Sequence, residues 1–178
     1  VIIPASVTSI GNRAFYGCSS LTSVAIPASV TSMGMYAFFN CSSLKSVIIQ
    51  EGVTSIGVGA FRGCSSLTDI TIPASVTSIG DQAFLFCSSL TAVTIPNSVK
   101  SIGGSAFLYC PSLTSITIPA SVTNIGTQVF YKCSSLQTIN YTGTKKQWKS
   151  ILNTNLTIEP KKQIVVHCAD GKLKLNGK

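Results

Sequence analysis

Cysteine is the residue of this chain whose type and spacing could most readily do chemistry. Seven cysteines are present, and six of them recur at intervals of 23 residues, at Cys18, Cys41, Cys64, Cys87, Cys110 and Cys133. Structural zinc sites usually take cysteines in closely spaced pairs, so this spacing argues against zinc. If the interval marks stacked coils about 4.8 Å apart, neighbouring cysteines would lie within disulfide distance. Side chains in register project side by side, however, and buried free thiols that pack as small apolar groups are the favoured interpretation.

The remaining reactive side chains form no recognisable catalytic set. His167, the single histidine, precedes Cys168. Neighbours on a strand point to opposite faces, so these two residues cannot act together as base and nucleophile. The five carboxylates are scattered along the chain, and no glycine-rich phosphate loop is present. We therefore expect no enzyme activity and no catalytic, cofactor-binding or metal-binding residues.

The composition describes a folded and weakly charged chain. Hydrophobic residues make up 45% and charged residues 10%, which is too apolar for disorder and too poor in charge for a coiled coil. The net charge of +8 is uneven, because residues 141–178 hold eight lysines and two acidic residues. This lysine cluster could hold an acidic partner, but no nucleic-acid-binding motif accompanies it, so we expect no nucleic-acid partner. No apolar run approaches the roughly 20 residues of a membrane helix, and no membrane span is predicted.

A 23-residue repeat determines the predicted architecture. The unit IPASVTSIGNRAFYGCSSLTSVA begins at Ile3, and six copies follow one another without insertion to Asn140. The copies share the pattern L-x-x-I-x-I, the strand signature of leucine-rich repeats, and most follow it with a proline that ends the strand. The return path carries inward columns of valine, isoleucine, phenylalanine and cysteine, and a glycine column that we expect at turns with positive φ. Stacked coils would bury these columns against one another.

The repeat resembles the BspA-like, or Treponema pallidum-type, class of leucine-rich repeats. The resemblance rests on LxxIxIP, SVTSIG and AFxxC in register, and it covers residues 1–140. It implies a β-rich right-handed solenoid with 23-residue coils, short parallel strands and short helical or 3-10 turns. Members are typically secreted or surface-displayed bacterial proteins, and several are linked to adhesion. The resemblance therefore implies a non-enzymatic protein-binding or adhesion module, secreted or at the cell surface, whose partner is a host or bacterial surface protein or glycan.

Residues 141–178 leave the repeat register and are predicted to form a C-terminal capping segment on the solenoid of residues 1–140. Thr144 can cap a short helix that runs to Leu152. Residues 164–168 and 172–175 are predicted strands joined by a turn at Asp170-Gly171. Such a segment would cover one open end of the solenoid. At the other end, the coil that starts at Val1 leaves an open edge where two copies of the chain could pair as a dimer.

The outward positions of the predicted strands form the candidate binding face. They carry mostly small hydroxyl side chains, which make a flat surface of low relief. The candidate residues are Thr22, Lys45, Thr68, Asp69, Thr71, Thr91, Thr94, Thr114 and Thr117. A solvated sheet face with good β-propensity explains the same pattern. The near-identity of the repeats also fits a structural spacer that presents other domains and has no ligand of its own.

Large side chains vary at the two positions between the phenylalanine and the cysteine of each repeat. They include Tyr16, Phe39, Arg62, Phe86, Tyr109 and Tyr131. Packing between neighbouring coils is one interpretation of these residues. Exposed aromatic side chains that mark a contact site are the other.

Overall fold

The computed structural model describes residues 1–152 and 163–176 of the chain. Each 23-residue repeat forms one coil with three bonded segments, and backbone hydrogen bonds join every segment to the neighbouring coils. Two of the segments form rows of parallel strands, and the third forms a row of turns. The coils therefore stack into a β-solenoid with very little helix, as the repeat predicts.

The first row, called the strand row, contains the residues of the L-x-x-I-x-I pattern. Neighbouring strands pair in parallel and in register, for example Val24 with Val47 and Ile116 with Ile139. Aliphatic side chains point inward and mostly small polar side chains point outward, as a period of two requires. The row is divided into two sheets, because no ladder joins its third strand to its fourth. The strands are β2 (Ser23–Ile26), β4 (Ser46–Ile49), β6 (Asp69–Thr71), β8 (Ala92–Thr94), β10 (Ser115–Ile118) and β12 (Thr138–Tyr141).

The second row, called the short-strand row, contains two-residue strands from the SVTSI segment of each repeat. Each strand has an exposed or half-buried polar residue followed by a buried isoleucine or methionine. Neighbouring strands pair in parallel, in one sheet of two strands and one of four. The strands are β1 (Ser9–Ile10), β3 (Ser32–Met33), β5 (Ser55–Ile56), β7 (Ser78–Ile79), β9 (Ser101–Ile102) and β11 (Asn124–Ile125).

The third row, called the turn row, contains the segment predicted to form a helical or 3-10 turn. Its backbone N–H groups alternate between two kinds of partner. The N–H of Phe61 donates to the carbonyl oxygen of Ala83 in the next coil at 2.8 Å, whereas the N–H of Arg62 donates to that of Gly59 in its own coil at 3.0 Å. The bonds within a coil span three residues, as in a 3-10 turn. The alternate bonds tie each coil to the next, so the turns do not continue into a helix.

Positive φ angles occur in the turn row and not at the glycine column, so the sequence-based prediction for these glycines is wrong. A different constraint acts on them. A Cβ atom on Gly57 would lie 2.6 Å from the carbonyl oxygen of Met33, and one on Gly103 would lie 2.6 Å from the carbonyl carbon of Gly80. Close approach of the preceding coil therefore excludes a side chain. Apart from Gly52 and Gly171, the positive φ angles of the described residues belong to two positions of each turn, namely Arg13, Tyr36, Gly59, Gln82, Ser105 and Gln128, and Gly17, Asn40, Gly63, Phe86, Tyr109 and Lys132.

The interior enclosed by the three rows is apolar. The phenylalanine of each coil stacks on that of the next, with ring centroids 5.4 Å apart for Phe38 and Phe61 and 5.6 Å apart for Phe61 and Phe84. From the second coil onward, these rings and the valine, isoleucine and leucine columns are buried. Within residues 1–152 and 163–176, no polar or charged residue is buried. The interior therefore supplies packing energy and no polar site.

The first coil is less buried than the others. Phe15 is half-buried and Cys18 is exposed, whereas the equivalent residues of the later coils are buried. Val1 and Ile2 are 62% and 89% exposed. The sequence predicts pairing with a second copy at the apolar surface of this coil, and that pairing stays a prediction.

The strand row continues into the C-terminal segment without a break. Tyr141, the last residue of β12, takes the inward position that isoleucine holds in the preceding coil. Strand β13 (Gln163–Cys168) then pairs with β12 in parallel, and β14 (Gly171–Asn176) pairs with β13 in antiparallel orientation. The antiparallel hairpin predicted around Asp170 is therefore present, and it ends the row of parallel strands.

Helix α1 (Lys145–Ile151) confirms the helix predicted after Thr144. Thr144 is the N-cap, and it forms a capping box with Gln147 that satisfies backbone N–H groups at the helix start. Trp148 is fully buried, with its ring centroid 5.1 Å from that of Tyr141. Leu152 forms a bridge with Ile125, so the end of the helix is joined to the short-strand row. Residues 153–162 and 177–178, which belong to the predicted cap, lie outside the described residues.

Candidate functional site

The nine residues of the candidate binding face share the outer surface of the strand row. Eight of them are exposed and Thr117 is half-buried. Thr94 and Thr117 are direct partners in neighbouring strands, and Asp69 pairs with Ser46 in the same way. The structure thus brings these side chains together as one regular surface. That this surface binds a partner stays a prediction.

In one column of this face, the threonine hydroxyl groups form hydrogen bonds to the protein's own backbone. The hydroxyl of Thr91 donates to the carbonyl oxygen of Thr68 in the preceding coil, with 3.3 Å between the oxygens. Threonines beside the short-strand row do the same, and the hydroxyl of Thr77 donates to the carbonyl oxygen of Thr54 at 3.1 Å. Each donor is therefore engaged in joining coils. A hydroxyl oxygen can also accept a hydrogen bond, so a ligand could donate one to these threonines.

The candidate face departs from flatness between β6 and β8, where no strand ladder forms. A shallow hollow of about 220 Å³ opens at this position, lined by Asp69, Ile70, Thr71, Ile72, Thr94 and Pro96. Asp69 brings a carboxylate to a position that holds serine, alanine or threonine in the other coils. Sequence reasoning selected these polar residues, but it did not predict the hollow that they line.

The cysteine column donates hydrogen bonds from each coil to the preceding one. The thiol of Cys64 lies 3.1 Å from the carbonyl oxygen of Phe38, and that of Cys87 lies 3.2 Å from the carbonyl oxygen of Phe61. All seven cysteines are free thiols, and the five from the second to the sixth coil are buried. Burial raises the pKa of the Cys87 thiol above its ordinary value, which keeps the donor proton in place. These thiols are therefore buried and free, as predicted, and they also donate hydrogen bonds, which their spacing alone did not reveal.

The carboxylates also bind backbone groups across coil boundaries. Glu51 accepts the N–H groups of Ala74 and Ser75 at 3.0 and 2.8 Å, and Asp81 accepts that of Gly104 at 2.7 Å. In the part of the chain that the structure describes, no group of three or more histidine, cysteine, aspartate or glutamate side chains could hold a metal ion. These carboxylates therefore stabilise the turns of the solenoid itself.

The large side chains of the turn row stack on one another and remain partly exposed. The rings of Tyr16 and Phe39 have centroids 4.7 Å apart, and those of Phe86 and Tyr109 have centroids 5.0 Å apart. Tyr16, Phe86 and Tyr109 are nevertheless 53%, 44% and 43% exposed. Packing between coils and exposure to solvent, which the sequence presented as alternatives, therefore occur together.

The lysines of the C-terminal segment that the structure describes lie mostly at the surface. Lys146, Lys149, Lys172 and Lys174 are exposed, whereas Lys145 is half-buried. Lys161, Lys162 and Lys178, which belong to the same cluster, lie outside the described residues. Over the described ranges, the chain contains no helix of the length and apolarity needed to cross a membrane.

Stacked 23-residue coils whose strands carry the L-x-x-I-x-I pattern define a leucine-rich-repeat solenoid. Residues 1–87 and 56–159 match the family described as BspA type leucine rich repeat region (6 copies). These two stretches cover most of the chain, and the chain belongs to this family. The resemblance to BspA-like repeats seen in the sequence is thereby confirmed.

Solved structures of bacterial leucine-rich-repeat proteins are similar to the whole fold. A leucine-rich repeat protein from Bacteroides ovatus is 34% identical over 89% of this chain and 41% of its own, with a TM-score of 0.75. A leucine rich cell surface protein from Faecalibacterium prausnitzii is 32% identical over 85% of this chain and 34% of its own, with a TM-score of 0.60. The leucine rich repeat protein of T. pallidum is 25% identical over 90% of this chain and 70% of its own, with a TM-score of 0.58.

The chain spans 41% and 34% of the length of the first two of these proteins. Among curated proteins, none gives a significant match. The family and the fold together indicate a protein-interaction module.

Proposed function

We propose that this chain is a protein-binding adhesion module of a secreted or surface-displayed bacterial protein, and that the outer face of the strand row carries the contact. The partner is a protein or glycan on the surface of a host cell or of another bacterium. The observation that carries the proposal is the contrast between interior and exterior. The described interior holds no buried polar residue, whereas the nine candidate residues form a continuous outer surface.

The shape of the solenoid supports this choice of surface. Parallel strands in register present equivalent side chains at regular intervals along the stack, which suits an extended partner. The hollow beside Asp69 and Thr94 makes the face less flat. Its carboxylate, that of Asp69, would favour a positively charged group of the partner. The cell surface protein from F. prausnitzii, which shares the repeat, supports surface display as the setting.

A structural spacer is the second candidate function, and the similarity of the coils favours it. Hydroxyl donors such as that of Thr91 are engaged within the protein, so the face could serve only to join coils. A spacer would have no ligand on either the strand row or the turn row.

The two functions can be separated with matched variants. Beads coated with the chain would be tested for retention on epithelial cell layers and on coats of matrix protein. The first variant combines Thr68→Ala, Thr91→Ala and Thr114→Ala on the candidate face. The control combines Thr31→Ala, Thr54→Ala and Thr77→Ala, because those hydroxyls form the same type of bond to the preceding coil but lie beside the short-strand row.

The adhesion proposal predicts at least a fivefold loss of retained beads for the first variant and unchanged retention for the control. Equal retention of both variants and the unmodified chain would contradict the choice of face. A complete lack of retention on every surface would favour the spacer.

A further inference from the structure

The turn row carries a second cluster of surface side chains, exposed or half-buried, which the strand face does not include. We call it the turn-row stripe, and define it as Arg13, Tyr16, Tyr36, Phe39, Arg62, Phe86 and Tyr109. These residues come from the first five coils and follow one another along the solenoid axis. None of them belongs to the buried phenylalanine column, which begins at Phe15 and Phe38.

Each of the two arginines in this stripe contacts two aromatic rings. The guanidinium carbon of Arg62 lies 5.4 Å from the ring centroid of Phe39 and 6.0 Å from that of Phe86. The guanidinium carbon of Arg13 lies 6.0 Å from the ring centroids of both Tyr16 and Tyr36. Both arginines thus satisfy the distance for cation–π contact, which holds each charge at a fixed place on the surface.

The stripe encloses a hollow whose lining is cationic and aromatic. The hollow measures about 210 Å³ and is lined by Arg13, Tyr16, Tyr36, Phe39 and Arg62. No carboxylate belongs to this lining. Asp81, which lies in the turn row of the coil that follows Arg62, accepts the N–H of Gly104. The hollow therefore holds positive charge that no acidic side chain of its lining neutralises.

The orientation of the rings decides which ligand this surface fits. Tyr16 and Phe39 are nearly parallel, with an interplanar angle of 14°, so they cover each other's faces. Arg62 lies over Phe39 as well, so Tyr16 and Arg62 occupy the faces of Phe39. Ring edges carry the positive side of the aromatic quadrupole, and a guanidinium group offers several N–H donors in one plane. A carboxylate that arrives beside an apolar group satisfies both features, whereas a sugar ring would find no free face on Phe39 on which to stack.

We propose that the turn-row stripe is a docking surface for an acidic segment of a partner protein, in which aspartate or glutamate alternates with aromatic or aliphatic residues. The carboxylates bind Arg13 and Arg62, and the apolar side chains cover the edges of Phe39 and Phe86. The segment runs along the solenoid axis, because the two arginines are two coils apart. This surface is separate from the strand face, so its partner need not be the adhesion ligand.

Fluorescence anisotropy with a labelled glutamate–tyrosine copolymer tests this proposal. The variant carries Arg13→Gln and Arg62→Gln. The control carries Lys100→Gln and Lys146→Gln, which removes the same charge from exposed lysines outside the turn row and outside the candidate binding face. We expect saturable binding that weakens with salt, at least a fivefold weaker affinity for the arginine variant, and less than a twofold change for the lysine control.

The side chain of Arg62 donates a hydrogen bond to that of Gln82, so this arginine also has a structural role. Folding of each variant is therefore checked by thermal unfolding. If the double variant unfolds early, Arg13→Gln alone replaces it, because Arg13 contacts the exposed ring of Tyr16 and the half-buried ring of Tyr36. Equal weakening by the arginine variant and the lysine control would overturn the proposal, since it would show binding to net charge alone. Tighter binding of a heparin fragment than of the copolymer would overturn it in favour of an acidic glycan. The triple alanine variant of Thr68, Thr91 and Thr114 is expected to bind the copolymer normally, which keeps this result independent of the adhesion test.

Discussion

The thiol of Cys64 donates a hydrogen bond to the carbonyl oxygen of Phe38 across 3.1 Å, from one coil to the coil before it. The same oxygen accepts the backbone N–H of Cys41 at 3.3 Å, within its own coil. A single buried carbonyl group therefore joins a turn to the next layer of the solenoid. The bond from the thiol repeats with a separation of 26 residues at each junction from Cys41 to Cys133. It explains the cysteine column as a set of donors for carbonyl groups that water cannot reach.

Replacement of Cys64 by alanine is expected to lower the free energy of unfolding by about 1–2 kcal/mol. The change removes a hydrogen bond and leaves a small cavity in a fully buried position. Cys18→Ala is the matched control, since Cys18 is exposed and should change the stability by less than about 0.5 kcal/mol. Urea unfolding followed by circular dichroism measures both values. Equal effects at the two positions would show that the thiol bond contributes nothing.

The buried thiols predict that the fold loses stability in alkaline solution. Burial raises the pKa of Cys87, so the folded protein keeps this proton after an unfolded thiol has lost its own near pH 8.5. The stabilisation is complete below that pH and decreases as the pH rises above it, by up to about 1.4 kcal/mol per pH unit for each such thiol. Urea titrations between about pH 7.5 and about pH 9.5 should show this decrease, with a smaller slope for Cys87→Ala. A free energy of unfolding that stays constant over this range would contradict the assignment.

The glycine column predicts opposite outcomes for one substitution at two equivalent positions. Gly57→Ala should destabilise the fold by about 1–3 kcal/mol, because the new Cβ atom would meet the carbonyl oxygen of Met33. Gly11→Ala should be neutral or slightly stabilising, because a Cβ atom there meets nothing within 4 Å and its φ is not positive. Thermal unfolding of both variants is the measurement. A loss of similar size at Gly11 would show that backbone conformation, and not the neighbouring coil, selects glycine.

The stacked rings predict a large cost for truncating one of them. Phe61 is fully buried between Phe38 and Phe84, and Phe61→Ala should lower the free energy of unfolding by about 3–5 kcal/mol. Phe15→Ala should cost clearly less, because Phe15 contacts a ring on one side only and is half-buried. Denaturant unfolding compares the two. A cost at Phe15 as large as that at Phe61 would contradict the burial order along the stack.

The repeat made much of the fold predictable, because the same residue types recur at the same position of every coil. A period of two placed Val24 inside and Ser23 outside, and this decides which side chains belong to the candidate face. The helix after Thr144 followed from a capping residue and an apolar spacing on one helix face. These features depend on the local sequence and not on the distance between coils.

Features that depend on the distance between coils could not be predicted in this way. The period of the repeat does not say how closely Gly57 approaches Met33, or that the hydroxyl of Thr91 is directed to the carbonyl oxygen of Thr68. Nor does it predict the interrupted ladder beside Asp69. Each of these arises from the geometry between neighbouring coils. The candidate face was therefore predictable as a surface, but its relief and its hydrogen bonds were not.

Labelling of the thiols tests the central claim most directly, namely that the coils stack into one dry interior and leave function to the outer surface. In native buffer, iodoacetamide should modify Cys18 rapidly and the half-buried Cys168 more slowly. The five buried cysteines should react only as the protein unfolds, and all seven should react in denaturant without reductant. Mass spectrometry of the digested protein assigns each site. Rapid native labelling of Cys64 and Cys87, or fewer than seven modified thiols in denaturant, would contradict the stacked interior with free thiols described here.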